Sequence, residues 1–272
     1  MTTEKVDLRG AAATLLMTLY MHAFDARSRR PILGDPYAQD VLDRIDYDAA
    51  ALRRTTGDTS AVVSRAKRLD EWTTEFLVAE PAGQVLHLGC GLDSRPLRVR
   101  PPRTCRWIDV DQPEVIELRR RLYDVPDHVE SIPSSVTDEA WWDRVSTDRP
   151  TLVVAEGLLM YLTEEGVHAL LGRALDRLPR GVLAFDAVAP WTVTASKWTP
   201  EFRAVGARFH SAWDRSVFES RYPALQRLDD VSVYDMAALA EPRLWLRPAL
   251  FVAGALPPLR DSMRLHRYRF GR

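Results

Sequence analysis

From residue 84 to residue 186 short apolar runs alternate with amphipathic helical ones, and that alternation leaves one broad architecture open. Runs at 84–89, 104–110, 129–133, 151–156 and 181–186 read as strands. Segments 113–123, 138–145 and 164–178 between the last four carry helical periodicity, with Pro113, Thr137 and Thr163 as N-terminal signals. Only a short helix fits between the first two strands. Strands that alternate with helices build a parallel sheet with crossover helices, an α/β fold whose ligand crevice lies at the carboxyl ends of the strands.

Upstream, apolar residues at helical spacing run through Leu8, Ala12, Leu15, Leu16, Leu19, Tyr20 and Ala23. A second amphipathic stretch follows Gly34-Asp35-Pro36 with Tyr37, Val41, Leu42 and Ile45, and a third covers about 61–79 with Val62, Ala66, Leu69, Trp72, Phe76 and Leu77. Three helices therefore precede any strand. Beyond the fifth strand come an aromatic stretch at 190–213, a helical segment, and the strand-like runs "LQRLDDVSV" and "MRLHRYRF". The expected organisation is an N-terminal helical cap at 1–80 and a sheet domain at 81–272 with a lid insertion at about 190–222.

Charge narrows the function classes. The 272 residues carry 37 basic and 38 acidic groups, which gives no global field for nucleic acid or an anionic membrane. The five arginines at 95, 98, 100, 103 and 106 read as a solvated rim. No run of 18 apolar residues occurs, and the N-terminus lacks a leader pattern. The two cysteines point to a reducing compartment. Cys90 at the end of one strand and Cys105 at the start of the next lie at opposite edges of the sheet, so no disulfide is expected and both are structural. A soluble, cytoplasmic protein with a small-molecule partner and no metal is the expectation; the oligomeric state is not legible.

The first strand runs into "VLHLGCGLDSR", 85–95, where Gly89 and Gly91 permit a sharp turn and close approach of a ligand. Asp109 and Asp111, about twenty residues on, stand where a carboxylate holds ribose hydroxyls. Asp111 is the stronger candidate; Asp109 is expected to point to the other face. A dinucleotide is disfavoured because Ser94 replaces the third glycine and Asp93 sets a carboxylate where a pyrophosphate would lie; that charge suits an ammonium or sulfonium ligand. In "VVAEGLLMYL", 153–162, Glu156 either faces the same cleft or caps the next helix. Arg65 in "SRAKRLDEW" is either solvated or clamps a carboxylate.

These stretches, with "WIDVDQPEVI" and "FDARSRRPILGDPYAQ", resemble the leucine carboxyl methyltransferase family of S-adenosylmethionine-dependent enzymes, in the bacterial branch that includes methyltransferases of polyketide biosynthesis. The likeness spans roughly residues 20–190. It implies a class I methyltransferase fold: a Rossmann-like, doubly wound, mostly parallel seven-stranded sheet with an N-terminal helical lid. It further implies S-adenosylmethionine as cofactor. Arg65 would pair with its carboxylate, the Gly89–Gly91 backbone would pass the methionyl chain, Asp111 would hold the ribose, and Glu156 would lie near the amino group. Where the family usually has Asp-Leu against adenine, this chain has Ser135 and Val136, a weaker contact.

The implied reaction is O-methylation, and the acceptor follows from acid–base chemistry. A carboxylate is ionised at neutral pH, whereas a phenol needs a base. Tyr161, His22 and His210 are the catalytic candidates, with His168 a weak fourth. No histidine stands out as a base, and together with the family likeness this makes a carboxylate on a small, largely apolar molecule the expected acceptor and an aromatic hydroxyl the alternative. Tyr20, Arg29, Tyr37, Trp191, Phe209, His210 and Trp213 are candidates for lining the acceptor slot, with Arg30, Trp198 and Phe202 nearby in sequence. A nicotinamide dehydrogenase, a cyclase or lyase using the same cofactor, and a silent cofactor-binding scaffold are the competing classes.

Overall fold

Strand β3 (Gln84–Leu88) pairs in parallel with both β4 (Arg106–Asp111) and β6 (Thr151–Ala155), and this central position organises the molecule. The computed structural model describes residues 4–5, 14–48, 50, 52, 59–198, 207–240 and 247–271. Seven strands form one sheet in the order β5 (Val129–Pro133), β4, β3, β6, β7 (Arg180–Val188), β9 (Met263–Gly271), β8 (Gln226–Ser232). Only β9 runs against the others. The order reverses between β3 and β6, so a crevice opens at the carboxyl ends of those two strands.

Alternate residues serve opposite faces, as strand geometry requires. Leu86, Leu88, Ile108, Val110, Val153 and Phe185 face a core closed by α6 (Glu164–Arg177) and by Trp141 and Trp142. Val85, Trp107, Leu152 and Val154 face the other, closed by Leu69, Trp72, Phe76 and Leu77 of α3 (Thr59–Ala79). The helix α3 is therefore a layer of the sheet domain, and packing does not follow the division at residue 80. The cap proper is α1 (Thr14–Ala26) with α2 (Ala38–Asp43), packed through Leu19, Tyr20, Ala23, Val41 and Leu42 on Leu118 and Leu122 of α5 (Pro113–Leu122).

The remaining elements refine the expectation. Between β3 and β4 lies only α4 (Arg95–Val99), and α5 starts at Pro113. Thr163 caps α6 by accepting from the Gly166 N–H at 3.1 Å. Segment 138–145 is a 3-10 turn at Ala140–Arg144 that buries two tryptophans. A strand does precede the third helix: Glu4–Lys5 (β1) pairs in parallel with Ile45–Asp46 (β2). Two residues leave no periodicity to read, and this ladder depends on contacts such as Glu4 N–H to Arg44 O, 2.7 Å. Leu8 and Ala12 of the first expected helix lie outside the described residues. After β7 come α7 (Pro190–Ser196) and α8 (Arg215–Arg221), and between β8 and β9 come α9 (Val233–Ala240), α10 (Arg247–Ala255) and α11 (Pro257–Arg260), the last three unforeseen in sequence. Among the described residues no helix is long and apolar enough to cross a membrane, and both cysteines are free and buried.

Candidate functional site

A cavity of about 270 Å³ occupies the crevice where the strand order reverses. The turn after β3 forms its wall because Gly89 and Gly91 adopt φ of +62° and +50°, the left-handed region that glycine enters without strain. At Gly89 a Cβ would also stand 2.9 Å from Leu158 Cδ1; at Gly91 the nearest atom is 3.7 Å away, so backbone conformation alone dictates that glycine. The Gly91 N–H donates to Asp111 Oδ2 at 2.7 Å, and the Gln112 N–H to Asp111 Oδ1 at 2.7 Å. The carboxylate at the end of β4 is thus locked to the turn. Burial raises its pKa, outweighing those two N–H bonds.

Arg65, Gly89, Gly91, Asp93, Asp111, Ser135, Val136 and Glu156 all line this cavity, together with His22 and Tyr161. Helix α1 lies over it and contributes Leu15, Thr18 and Leu19 besides His22. A shallower depression of about 810 Å³ between α3, α4 and residues 33–37 holds neither the turn nor Asp111 and Glu156. It lies outside the crevice.

Beneath the cavity runs a continuous ionic network. Arg65 Nε donates to Glu156 Oε1 at 2.9 Å and Arg65 Nη1 to Asp186 Oδ2 at 2.9 Å. The other Glu156 oxygen accepts from Arg95, whose Nε also donates to Asp70 at 2.7 Å. Asp93 pairs with Arg98 at 2.6 Å and Arg95 at 3.2 Å. Arg98 continues to Asp35 at 3.1 Å, and Asp35 takes bonds from Ser94 at 2.7 Å and His22 Nδ1 at 3.3 Å. Burial opposes ionisation of Asp93 and Glu156, but the flanking guanidiniums prevail: Asp93 is held well below the usual carboxylate range, and Glu156 below its ordinary value. At Asp186 burial wins over Arg65 and the pKa rises.

Several expectations are corrected here. Arg95 is buried and the Arg98 side chain is almost wholly enclosed by the network, so these two are not part of a solvated rim, whereas Arg100 and Arg103 are exposed and Arg106 is half-buried. Asp109 does not point away from Asp111: two residues apart on one strand, they share a face. Asp109 lies one pleat deeper and is fully buried, bound by Trp107 Nε1 at 2.7 Å and Arg119 at 2.9 Å. Tyr20 is buried between α1 and α2, Arg29 is exposed, and Tyr37 borders the shallower depression. Trp191 is exposed on α7 with its N–H on Pro258 O at 3.1 Å, His210 is exposed, and Trp213 packs on Phe185 and Phe218. Of the aromatic stretch, Phe209 comes nearest, its ring 5.4 Å from that of Tyr161. Phe202 lies outside the described residues. His168 bonds Tyr222 at 3.0 Å, away from the crevice.

Sequence reasoning missed Asp186, Arg95 and His87. Asp186, at the end of an apolar strand, carried the same signal as Glu156. His87 stood within the quoted motif. Arg95 had no local signature, because a buried arginine and a solvated one read alike.

Known proteins resemble this chain over most of its length. The family model described as leucine carboxyl methyltransferase matches residues 15–174. The tetracenomycin polyketide synthesis O-methyltransferase TcmP of Streptomyces glaucescens is 45% identical over 274 residues, covering 98% of this chain and 99% of that protein. The S-adenosyl-L-methionine-dependent methyltransferase dpfgK of Gibberella zeae is 40% identical over 202 residues, 67% of this chain and 68% of its own. Among solved structures, a duf574 family protein from Streptomyces avermitilis superposes with a TM-score of 0.58 at 15% identity, covering 92% of this chain and 97% of that one. The plantazolicin methyltransferase BpumL does so with 0.51 at 12%, covering 96% and 100%. At such identities these structures speak to the fold.

Proposed function

The chain belongs to the leucine carboxyl methyltransferase family and is an S-adenosylmethionine-dependent O-methyltransferase, and on that premise we propose that its acceptor is a carboxylate on a small, largely apolar, polyketide-like molecule. The cavity residues fit the cofactor group by group. Asp111, held by two N–H groups, keeps lone pairs for ribose hydroxyls, and Ser135 and Val136 are assigned to the adenine. Glu156 and Asp93 supply negative charge for the ammonium and sulfonium. The donor that suits the carboxylate is Arg65, whose Nε and Nη1 are engaged while Nη2 has no such bond to a described residue. S-adenosylmethionine, when bound, supplies a methyl group activated by its sulfonium.

The protein's remaining tasks are to hold the acceptor oxygen in line and to exclude water. Leu15 and Leu19 of α1, in the cavity lining, serve the second. The observation that carries the carboxylate reading is Tyr161, beside Leu158 and Leu162 in the lining. Burial pushes its phenol above the ordinary range, so it stays protonated at neutral pH and acts as a donor rather than a base. A carboxylate with a pKa of about 4 arrives ionised and asks only for a donor. The family likeness and the polyketide role in the name of the 45% identical relative support the same acceptor class. The near-even charge and the two free thiols support a cytoplasmic enzyme whose partner is a small molecule, without nucleic acid or membrane.

One observation favours hydroxyl methylation as a second reading: His22, oriented by Asp35, is a cavity residue whose Nε2 has no hydrogen-bond partner among the described residues. An acceptor screen separates the two. A methyl ester is cleaved by mild alkali, an aryl ether survives. With a carboxylate acceptor the rate stays high down to about pH 6. An alkali-stable product, or a rate that collapses between about pH 7.5 and 6 with cofactor binding unchanged, moves the assignment to a hydroxyl and makes His22 the base.

A further inference from the structure

We propose that His87 is a positioning residue whose protonation decides how the Asp93 carboxylate is held in the cofactor cavity, which makes cofactor affinity fall at acid pH. The inference rests on the reading that this cavity takes S-adenosylmethionine. His87 sits in the middle of β3, is buried, and forms part of the cavity lining. Its Nδ1 lies 3.0 Å from Asp109 Oδ1. Asp109 is kept ionised by Arg119 against its burial, so it only accepts and Nδ1 must carry a hydrogen. The variable is the other nitrogen.

Nε2 faces two partners of opposite character. Arg95 Nη1 is 3.3 Å away and only donates; Asp93 Oδ2 is 3.6 Å away and only accepts. A neutral His87 therefore takes a hydrogen bond from Arg95. Once Nε2 is protonated, that contact becomes repulsive and Asp93 is the acceptor in reach. Protonation thus exchanges Arg95 for Asp93. Because Asp93 is already paired with Arg95 and Arg98, a third cation draws its carboxylate toward the sheet and cancels negative charge that the cavity presents to a cationic ligand.

The charged groups around this switch come from every packed element: Asp109 and Asp111 on β4, Arg119 on α5, Arg95 and Arg98 on α4, Asp70 on α3, Glu156 after β6, and His22 on α1. His22 is the second imidazole that acts on Asp93. The test must tell the two histidines apart.

Calorimetric titration of the full-length enzyme with S-adenosylmethionine and with S-adenosylhomocysteine, from pH 8 to 5.5, reads the effect as the ratio of the two affinities. The sulfur is charged in one and neutral in the other. In the wild type the preference for the charged ligand should fall about fivefold over that range. His87→Asn keeps a donor toward Asp109 and removes Nε2, so its ratio should stay flat, while His22→Asn should keep the slope. A flat wild-type ratio, a slope that survives in H87N, or a slope lost in H22N alone overturns the proposal. Failure of the wild type to bind either ligand at any pH overturns instead the assignment of the cavity. Should H87N not fold, His87→Gln, whose amide cannot titrate, replaces it. Nitrogen-resolved NMR of the wild-type imidazoles gives a check free of variants: His87 should carry its hydrogen on Nδ1 at pH 8 and gain a second on Nε2 as pH falls. The opposite tautomer, or no titration, overturns the proposal.

Discussion

Asp111 illustrates how a single residue serves fold and ligand together. Its carboxylate accepts from the Gly91 and Gln112 N–H groups, so it tethers the glycine turn while keeping lone pairs for a ribose. Asp111→Ala should therefore weaken S-adenosylmethionine and S-adenosylhomocysteine alike, by about 1.5 to 3 kcal/mol, since both carry the same ribose. Calorimetry with the two ligands checks this, and wild-type affinity with the fold intact would place the ribose elsewhere. Gly91→Ala tests the backbone separately. A non-glycine residue at φ +50° costs about 1 to 2 kcal/mol, while the new methyl would meet Leu15 Cβ at an unstrained 3.7 Å, so the loss should appear in unfolding free energy. These glycines and Asp111 were legible because their spacing after an apolar strand has one geometric meaning.

At the scale of elements, β9 joins the sheet to its last edge strand and carries a buried ionisable group at its centre. His266 packs against Phe185, Trp213 and Tyr268, and burial pushes its pKa down to about 4, with Asp230 only partly compensating. In the unfolded chain the same imidazole titrates at about 6.5. Between those values the unfolded state binds the proton and the folded state does not, so this contribution to stability is complete above about pH 6.5 and declines as pH falls toward 4. The full decline is about 3 kcal/mol. Denaturant unfolding of wild type and His266→Phe across that range should show a shallower loss in the variant. Equal slopes would mean the imidazole is not buried as a neutral group. The strand was visible in "MRLHRYRF", yet its reversed direction was not, because alternation is the same whichever way a strand runs.

For the whole molecule, the reversal of strand order between β3 and β6 brings the turn at Gly89 beside Glu156, and α1 closes over both. A ligand held there should stabilise the entire fold by mass action, about 2.7 kcal/mol at a concentration about 100 times Kd. Thermal unfolding should shift upward with S-adenosylmethionine or S-adenosylhomocysteine and stay unchanged with NAD. A comparable shift with NAD would contradict the reading of Asp93 as hostile to pyrophosphate.

The sequence by itself determined the α/β class, the positions of the five parallel strands, and the glycine turn with its carboxylates, since each of these is set by local periodicity or by a backbone that only glycine tolerates. Only the tertiary structure decided that Arg95 and the Arg98 side chain are enclosed, that Asp109 is fully buried against Arg119, that α3 belongs to the sheet, and that Trp191, His210 and Trp213 stand away from the cavity. An arginine or an aromatic ring is stable in water-facing and in packed surroundings alike. What selects between them is a partner many residues away, such as Glu156 for Arg95 or Phe185 for Trp213, which comes near only once the sheet has closed.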